Sequence, residues 1–359
     1  MRICHVAQGC IEIPPTRWGA VESVISDYGY FIQQFGHQFH VVNTNDIESA
    51  RRQIEEIRPN VLHVHNENWH ALLRDSPAPV NILTTHDGLL FEKSTNANRR
   101  RESIYEKGFN EGTFHVHCLS KAVQQYFLDI GLSRERLFFL QNGARSDLFR
   151  FTDTPRLPHR AICLARVSLR KRQRLLSDLE CVDFVGPRSD PAFDYNIKRY
   201  LGEWTKAQLY SHLTDYACLV LLSASEAAPL ATCEALMAGL GVVVSEASSA
   251  NLDLNQPFVS VVPESKVRNT AFVLKTILQN QEAAVKMRRE IRDYARANFD
   301  WRLIVEDYLK RLPILQPLRQ GHSDGSFAPG ICRRPDINSN QLNLPSLNYG
   351  TAQPNIQQP

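Results

Sequence analysis

The sequence predicts an α/β protein of two Rossmann-like domains. Short apolar segments alternate with amphipathic ones along most of the chain, which is typical of parallel sheets covered by helices on both faces. The alternation stops at residues 151–159, where Pro155 and Pro158 stand among polar residues, and then begins again. A polar break of this kind predicts a linker between two domains.

The domain boundaries follow from this break. The 359 residues are enough for two separate hydrophobic cores. We place the first domain at residues 1–154 and the second at residues 155–300, with a further helical segment at 301–316. Residues 317–359 are rich in Pro, Asn, Gln, Ser and Gly and lack periodicity, so this tail is predicted to be disordered.

The elements of the first domain are predicted from their hydrophobic period and from the residues that end them. Apolar side chains from Val21 to Ile32 fall on one helical face, and Gly36 ends that helix. Pro59 ends a second helix. The predicted order is strand 2–7, helix 21–35, strand 38–42, helix 47–57, strand 61–64, strand 80–85, helix 98–107, strand 114–119, helix 121–130 and strand 137–140.

The second domain repeats the alternation. Apolar runs of strand length predict a buried sheet, and the amphipathic segments between them predict its covering helices. The predicted order is strand 161–165, short helix 171–179, strand 182–185, helix 206–213, strand 217–222, a helix opened by Pro229, a strand over 242–244, a long helical region 271–299 and helix 301–312.

Composition limits the class of protein. The hydrophobic share of 43% and charged share of 22% are ordinary for a globular enzyme, and the net charge of +3 predicts no nucleic-acid partner. None of the eight cysteines forms a Cys-x-x-Cys pair, and the first residues lack the apolar core of a signal peptide. We therefore expect a reduced, cytoplasmic chain, with the membrane surface as a further place of contact. The oligomeric state is left open.

Two glutamates, Glu226 and Glu234, are separated by seven residues around the predicted helix start at Pro229. Proline suits the first helical position, and the next amides, of Leu230 and Ala231, are then free to bind an anion. Carboxylates nearby suit the hydroxyl groups of a sugar or ribose. This unit predicts a site for a phosphorylated sugar or a nucleotide, and the alternative is an ordinary βαβ unit with surface acids.

Cations follow the first strand of the second domain. Arg166 and Lys171 would stabilise the charge of a departing diphosphate in a dry cleft. A solvated basic loop is the alternative interpretation. His86 follows an apolar strand of the first domain, at the end where α/β folds bind ligands. The spacing of His63, His65 and His70 does not support a metal site, and no metal is expected.

Together these segments resemble the family 4 retaining glycosyltransferases. That family has the GT-B fold, in which two Rossmann-like domains face each other across a cleft. The resemblance rests on Glu226 and Glu234 before Gly239-Leu-Gly241-Val-Val, on Arg166 and Lys171, and on the Pro-Pro…Trp-Gly segment that ends at Gly19. The chain departs from the family's glycines at four positions and from its aspartate at a fifth. These positions are Ala20, Ala165, Arg172, Pro229 and Arg145.

The resemblance implies retaining transfer of a sugar from a nucleotide-sugar, linked to UDP or GDP, to a glycan or lipid-linked acceptor, without a metal cofactor. It implies a hexosyltransferase-like role in polysaccharide biosynthesis, and a last helix that packs back on the first domain. An inactive nucleotide-sugar-binding protein and a GT-B epimerase or phosphorylase remain alternatives. The expected catalytic residues are His86, Arg166, Lys171 and Glu226, and the expected donor-binding residues are Gly19, Ala20, Arg166, Lys171, Glu226, Pro229, Leu230, Ala231 and Glu234.

Overall fold

The computed structural model describes residues 1–86, 88, 103–105, 108, 111 and 114–315. Strands and helices alternate through this part of the chain. The strands are β1 (Arg2–Ala7), β2 (Gln38–Asn43), β3 (Val61–Val64), β4 (Val80–Thr84), β5 (His115–Cys118), β6 (Leu137–Phe139), β7 (Leu157–Leu164), β8 (Val182–Val185), β9 (Tyr216–Leu221), β10 (Gly241–Ser245) and β11 (Val259–Val262). The helices are α1 (Ala20–Gln34), α2 (Ile47–Ile57), α3 (Ala71–Arg74), α4 (Lys121–Asp129), α5 (Lys206–His212), α6 (Leu230–Met237), α7 (Thr270–Lys286), α8 (Arg288–Phe299) and α9 (Trp301–Arg311).

The strands form two parallel sheets. The first has the order β2-β1-β3-β4-β5-β6, and the second has the order β11-β10-β9-β7-β8. All strand pairs in both sheets are parallel. The predicted α/β class with two Rossmann-like sheets is therefore confirmed. None of the described helices is long and apolar enough to cross a membrane.

The last helix returns to the first sheet. Trp301, Val305 and Tyr308 of α9 are buried in one cluster with Ile3 and Tyr28. The segment before the linker passes close to the end of α8, since a Cβ on Gly143 would lie 2.7 Å from the Phe299 carbonyl oxygen. Glycine at 143 thus permits the close approach of two backbones.

Two buried arginines of α8 hold the segment that joins the sheets. Arg288 donates to the carbonyl oxygens of Thr152 and Tyr216, at 2.8 and 3.0 Å. Arg292 donates to the carbonyl oxygen of Phe149 at 3.2 Å. These bonds satisfy the carbonyls of Phe149 and Thr152, outside the sheets, and that of the first residue of β9, and they fix the linker against the second domain.

Several predicted elements differ from the structure. The helix predicted at 171–179 is wrong: only a 3₁₀ turn, Gln173–Leu176, forms, because Arg172 adopts a left-handed φ of 58° that cannot continue an α-helix. Strand β11 escaped prediction because its four residues lie between polar loops. Strand β7 starts at Leu157, inside the predicted linker. Met287 divides the helical region 271–299 into two helices.

The predicted disordered tail, 317–359, lies outside the described residues, as does most of the predicted helix 98–107.

Candidate functional site

The candidate site lies where two central strands of the second sheet end side by side. Strands β7 and β9 are paired, with Ile162 opposite Leu219. The chain continues from β7 to β8 on one side and then returns to β9 on the other side. A crevice opens beyond the carboxyl ends of two such strands, and open α/β sheets bind their ligands there.

A cavity of about 350 Å³ occupies this crevice and is also lined by loops of the first sheet. Every residue expected at the site from the sequence contributes to its wall, although they come from segments more than 200 positions apart. Their individual roles remain predictions. The residues are Gly19, Ala20, His86, Arg166, Lys171, Glu226, Pro229, Leu230, Ala231 and Glu234.

Glu226 and two cations form one cluster in the cavity wall. The Lys171 ammonium donates to Glu226 Oε1, and Arg170 Nη1 lies 3.4 Å from Oε2 of the same carboxylate. Arg170 also donates to the Ser225 carbonyl oxygen at 2.7 Å. The side chains of Lys171 and Glu226 are only 12% and 8% exposed, so water screens this pair weakly. The pair is therefore held in place before any ligand binds, and its two charges suit an anionic, hydroxylated ligand.

Arg166 is oriented by the first domain. Its guanidinium lies 5.9 Å from the centre of the Trp18 ring, within reach of a cation–π interaction. The Trp18 backbone N–H in turn donates to Glu203 at 3.1 Å. The loop before α1 thus contacts the second domain directly beside the cavity.

The helix start at α6 differs slightly from the prediction. Pro229 has an extended backbone, with ψ of 121°, and caps the helix, so Leu230 rather than Pro229 is the first helical residue. The Thr232 hydroxyl donates back to the Pro229 carbonyl oxygen at 2.7 Å. The amides of Leu230 and Ala231 still belong to the first helical turn, where N–H groups lack intrahelical partners. The helix terminus therefore retains its capacity for an anion.

Glu234 lies one turn into α6 and faces Lys206 of α5, with Oε1 3.7 Å from Nζ. The Asp27 carboxyl of α1 is close enough to both charges to be affected by them. Burial raises the pKa of Asp27 to about 7, although Arg145, 3.5 Å away, and Lys206 oppose this shift. Asp27 is therefore a carboxyl group that changes charge near neutral pH.

Gly19 and Ala20 meet different backbone demands. Gly19 caps α1 with a φ of +149°, and a Cβ there would lie 2.9 Å from Pro15 Cβ. Ala20 is the first residue of α1, so it has no need of a positive φ. The structure therefore accommodates alanine at the position where the family that the sequence resembles has its second glycine. Arg172 shows the opposite case. It keeps a left-handed backbone at a position where that family has glycine, so its conformation is strained.

His86 follows β4 and lines the cavity from the side of the first sheet. Its pKa is lowered to about 3, first because burial disfavours the imidazolium and then because His117 lies nearby. His86 is therefore neutral at physiological pH. Its Nε2 lies 2.9 Å from Nδ1 of His65.

Several cavity residues are not among the predicted site residues, and four of them are polar or aromatic groups in contact with the site: Arg170, Trp18, Lys206 and Asn142. Arg170 adjoins a recognised cation, but nothing in the sequence shows that it turns toward Glu226. Trp18 and Lys206 belong to segments whose proximity to the site arises only in the folded chain. Asn142 donates to the Ala228 carbonyl oxygen at 2.9 Å, and its buried Oδ1 has no partner among the described residues. That oxygen could accept a hydrogen bond from a ligand.

Three buried histidines of the first sheet also stand together. Ring nitrogens of His5, His63 and His65 lie within 4.8 Å of one another. Both ring nitrogens of His63 and of His65 already have hydrogen-bond partners in the protein. These contacts favour a hydrogen-bonded network over a metal site. His70, the third histidine considered from the sequence, bonds instead to the Glu67 carbonyl oxygen.

One family of known proteins matches part of the sequence. Residues 22–148 match the model of the family described as Glycosyltransferase Family 4. No curated protein matches the sequence.

Solved structures share the fold across most of the chain. Sucrose-phosphate synthase from Thermosynechococcus elongatus aligns with a TM-score of 0.70 and 13% identity, over 88% of this chain and 98% of that chain. HepE from Anabaena, solved in complex with UDP and glucose, aligns with a TM-score of 0.67 and 16% identity, over 88% and 100%. AviGT4, a glycosyltransferase involved in avilamycin A biosynthesis, aligns with a TM-score of 0.64 and 14% identity, over 88% and 97%. At these identities the likeness establishes the GT-B fold.

Proposed function

We propose that this chain, a glycosyltransferase with a family 4 domain and the GT-B fold, transfers a sugar from a nucleoside-diphosphate sugar to a glycan or lipid-linked acceptor. One observation carries the proposal. Lys171, Arg166 and the first turn of α6 surround one cavity together with the carboxylates of Glu226 and Glu234. This combination matches a ligand that is anionic at its diphosphate and hydroxylated at both ends.

The roles follow from charge and position. The Lys171 and Arg166 cations and the amides of Leu230 and Ala231 would hold the diphosphate and stabilise its charge as the sugar leaves. Glu234, inside α6, would accept the ribose hydroxyls. Glu226, already held by Lys171, would accept hydroxyls of the transferred sugar.

We propose transfer with retention of the anomeric configuration. None of the described cavity residues pairs a nucleophile with an activating base in the manner of covalent catalysis. In a front-side displacement the acceptor hydroxyl forms the new bond on the face from which the diphosphate leaves, and a diphosphate oxygen takes the acceptor's proton. The cations of the second domain favour this route because they stabilise the leaving group, and no metal ion is required for it.

The donor is proposed to be linked to UDP, with GDP as the alternative base. The support is the fold shared with HepE, which was solved with UDP-glucose. A role in polysaccharide biosynthesis is proposed on the same family grounds. The acceptor would enter from the first-domain side, beside His86.

The test combines binding and turnover. Thermal shifts of the full chain are measured with UDP-glucose, UDP-galactose, UDP-N-acetylglucosamine and GDP-mannose, since a bound ligand raises stability by mass action. Donors that bind are then incubated with oligosaccharide and lipid-linked acceptors, with and without EDTA. We expect one donor to be consumed equally in both conditions, and NMR of the product to show the donor's anomeric configuration. Binding without consumption of any donor would favour an inactive binding protein, and an inverted product would overturn the retaining mechanism.

A further inference from the structure

The neutral polar groups behind His86 form two branches, each a separate chain of hydrogen bonds. One branch runs through His63 and ends on a backbone carbonyl, and the other runs through His65 and ends at His5. Both lie in the first sheet, where His5 of β1 is opposite His63 of β3. Within each branch, the partners determine which ring nitrogen of each histidine carries the proton.

The first branch has only one consistent arrangement. His117 Nε2 lies 2.7 Å from the Leu140 carbonyl oxygen, which can only accept, so this nitrogen carries the proton. The neutral ring must then accept at Nδ1 from the Thr84 hydroxyl, 2.9 Å away. Thr84 Oγ1 in turn accepts from His63 Nε2 at 2.7 Å, and His63 Nδ1 accepts from the Tyr308 hydroxyl at 3.1 Å. Both histidines of this branch are therefore protonated at Nε2.

The second branch connects the cavity to the interior. His86 Nε2 and His65 Nδ1 are 2.9 Å apart, and His65 Nε2 and His5 Nδ1 are 3.0 Å apart. His65 and His5 are buried, with 4% and 0% exposure. Burial lowers the pKa of His5 to about 3 and holds that of His65 well below its usual range, so all three rings are neutral. Each ring carries one proton, and the protons must all point in the same direction along the chain.

The interior end determines that direction. His5 Nε2 has no hydrogen-bond partner among the described residues, and aromatic rings surround the imidazole, with Phe39 at 5.0 Å and Tyr28 at 5.3 Å between ring centres. An N–H group among aromatic rings gains weak interactions with their π faces. The Nε2–H form is also the more stable tautomer of a neutral histidine. Both effects favour a proton on Nε2 in every ring of this branch, as in the first branch.

We propose that His65 and His5 are positioning residues that hold His86 as its Nε2–H tautomer, so that its Nδ1 lone pair accepts a hydroxyl group of the sugar substrate. The inference rests on the proposed function for the identity of the ligand, but not for the state of the free protein. A bare Nδ1 accepts from a hydroxyl and repels a phosphate oxygen. The network thus gives the first-domain wall a preference for the sugar over the diphosphate.

The direct test uses the full chain labelled with ¹⁵N-histidine and free of ligand. Long-range ¹H–¹⁵N correlation spectra at neutral pH report the tautomer of each ring, and His86→Gln assigns the His86 signals by their loss. We expect His86, His65 and His5 as Nε2–H tautomers, with a scalar coupling across the hydrogen bond between His86 Nε2 and His65 Nδ1. A His86 ring protonated at Nδ1, or charged, would overturn the proposal.

Two substitutions of similar size separate positioning from packing. The amide of Asn overlays Nδ1 of a histidine, so His65→Asn keeps a partner for His86, whereas His65→Leu removes it. With UDP-glucose as the probe, we expect His65→Leu to lower kcat/KM roughly tenfold, the value of one hydrogen bond. His65→Asn should stay close to the parent. Binding of free UDP should be unchanged in both, because His86 faces the sugar.

Equal losses in the two variants would mean that His65 only fills space, and the proposal would fail. If His65→Leu does not fold, the spectra of the parent and the kinetics of His65→Asn still decide. If the parent transfers no sugar at all, the proposed function fails while the tautomer measurement remains valid. The two failures are therefore distinguishable.

Discussion

The two walls of the cavity come from similar sheets but differ in the polar groups that they contribute. The second sheet contributes charged side chains, namely Arg166, Arg170, Lys171 and Glu226, at the ends of β7 and β9. The first sheet contributes His86 and, behind it, imidazoles kept neutral by burial. In the proposed function the cations bind the diphosphate, whose negative charge grows during transfer, while Glu226 and the neutral His86 accept sugar hydroxyls from the two walls. The two sheets would thus share the recognition of one substrate.

The largest expected effect tests the charged wall. Lys171→Ala should lower turnover by roughly 100-fold or more, because it removes a cation from the developing charge of the leaving group. Steady-state kinetics with the active donor would measure this, with circular dichroism as a check on folding. Arg172→Ala is the matched control: Arg172 is the next residue, but it pairs with Glu264 at 2.7 Å and does not line the cavity. Equal losses of turnover in both variants would mean that the effect comes from the loss of positive charge in this region and not from a contact of Lys171 with the leaving group.

Substitution of Glu234 and of Glu226 should affect recognition of different ends of the donor. Glu234→Gln should weaken binding of free UDP by roughly tenfold, the value of a hydrogen bond to a charged group. Glu226→Gln should leave UDP binding unchanged or tighter, since Lys171 and Arg170 lose a competing carboxylate, while transfer is impaired. Isothermal titration with UDP and kinetics with the donor would check both. Parent-like binding and turnover in both variants would make these glutamates structural.

The pH dependence of stability tests whether the Asp27 carboxyl of the first domain is neutral below about pH 7. Its pKa is raised from 3.8 to about 7, chiefly by burial. Between these values the folded protein holds a proton that the unfolded chain releases, so this group makes the free energy of unfolding fall as pH rises, by at most about 1.4 kcal/mol per pH unit. Above about pH 7 the carboxylate is ionised in both states and the slope ends.

Asp27→Asn should remove that contribution. Urea unfolding of parent and variant at several pH values would show their difference in stability changing between about pH 4 and 7 and constant above. Asp147→Asn is a useful control, because Asp147 also pairs with Arg145 but has a lowered pKa. A pH-independent difference between the parent and Asp27→Asn would show that Asp27 is ionised throughout.

The smallest expected effect concerns the strained residue beside the charged wall. Arg172→Gly relieves a left-handed φ of 58°, which costs about 1 kcal/mol in a non-glycine residue. It also loses the exposed ion pair with Glu264, which is worth about 0–1 kcal/mol. We expect the free energy of unfolding and turnover to change little. A large loss of turnover would mean that Arg172 reaches the ligand despite its place outside the described cavity wall.

The local sequence pattern was enough to predict the alternation of strands and helices, and with it the two parallel sheets. It also showed that Arg166, Glu226 and His86 follow apolar strands. Because ligands bind at the carboxyl ends of such strands, these residues could be predicted to lie at the site. These inferences succeed because hydrophobic period and glycine or proline signals are local. The first helical residue of α6 was wrong by one position, since capping depends on the backbone angles of a single residue.

Which side chains contact one another could not be predicted from the sequence, because it depends on how the folded segments pack. The pairing of Lys171 with Glu226, the contact of Trp18 with Arg166 and the approach of Lys206 to Glu234 join segments that are far apart in the chain. The histidine network is the clearest case. His5, His65 and His86 belong to three different segments, and their neutrality results from burial, a property that no local pattern encodes. The sequence contains these histidines, and the packing around the first sheet buries them and keeps them neutral.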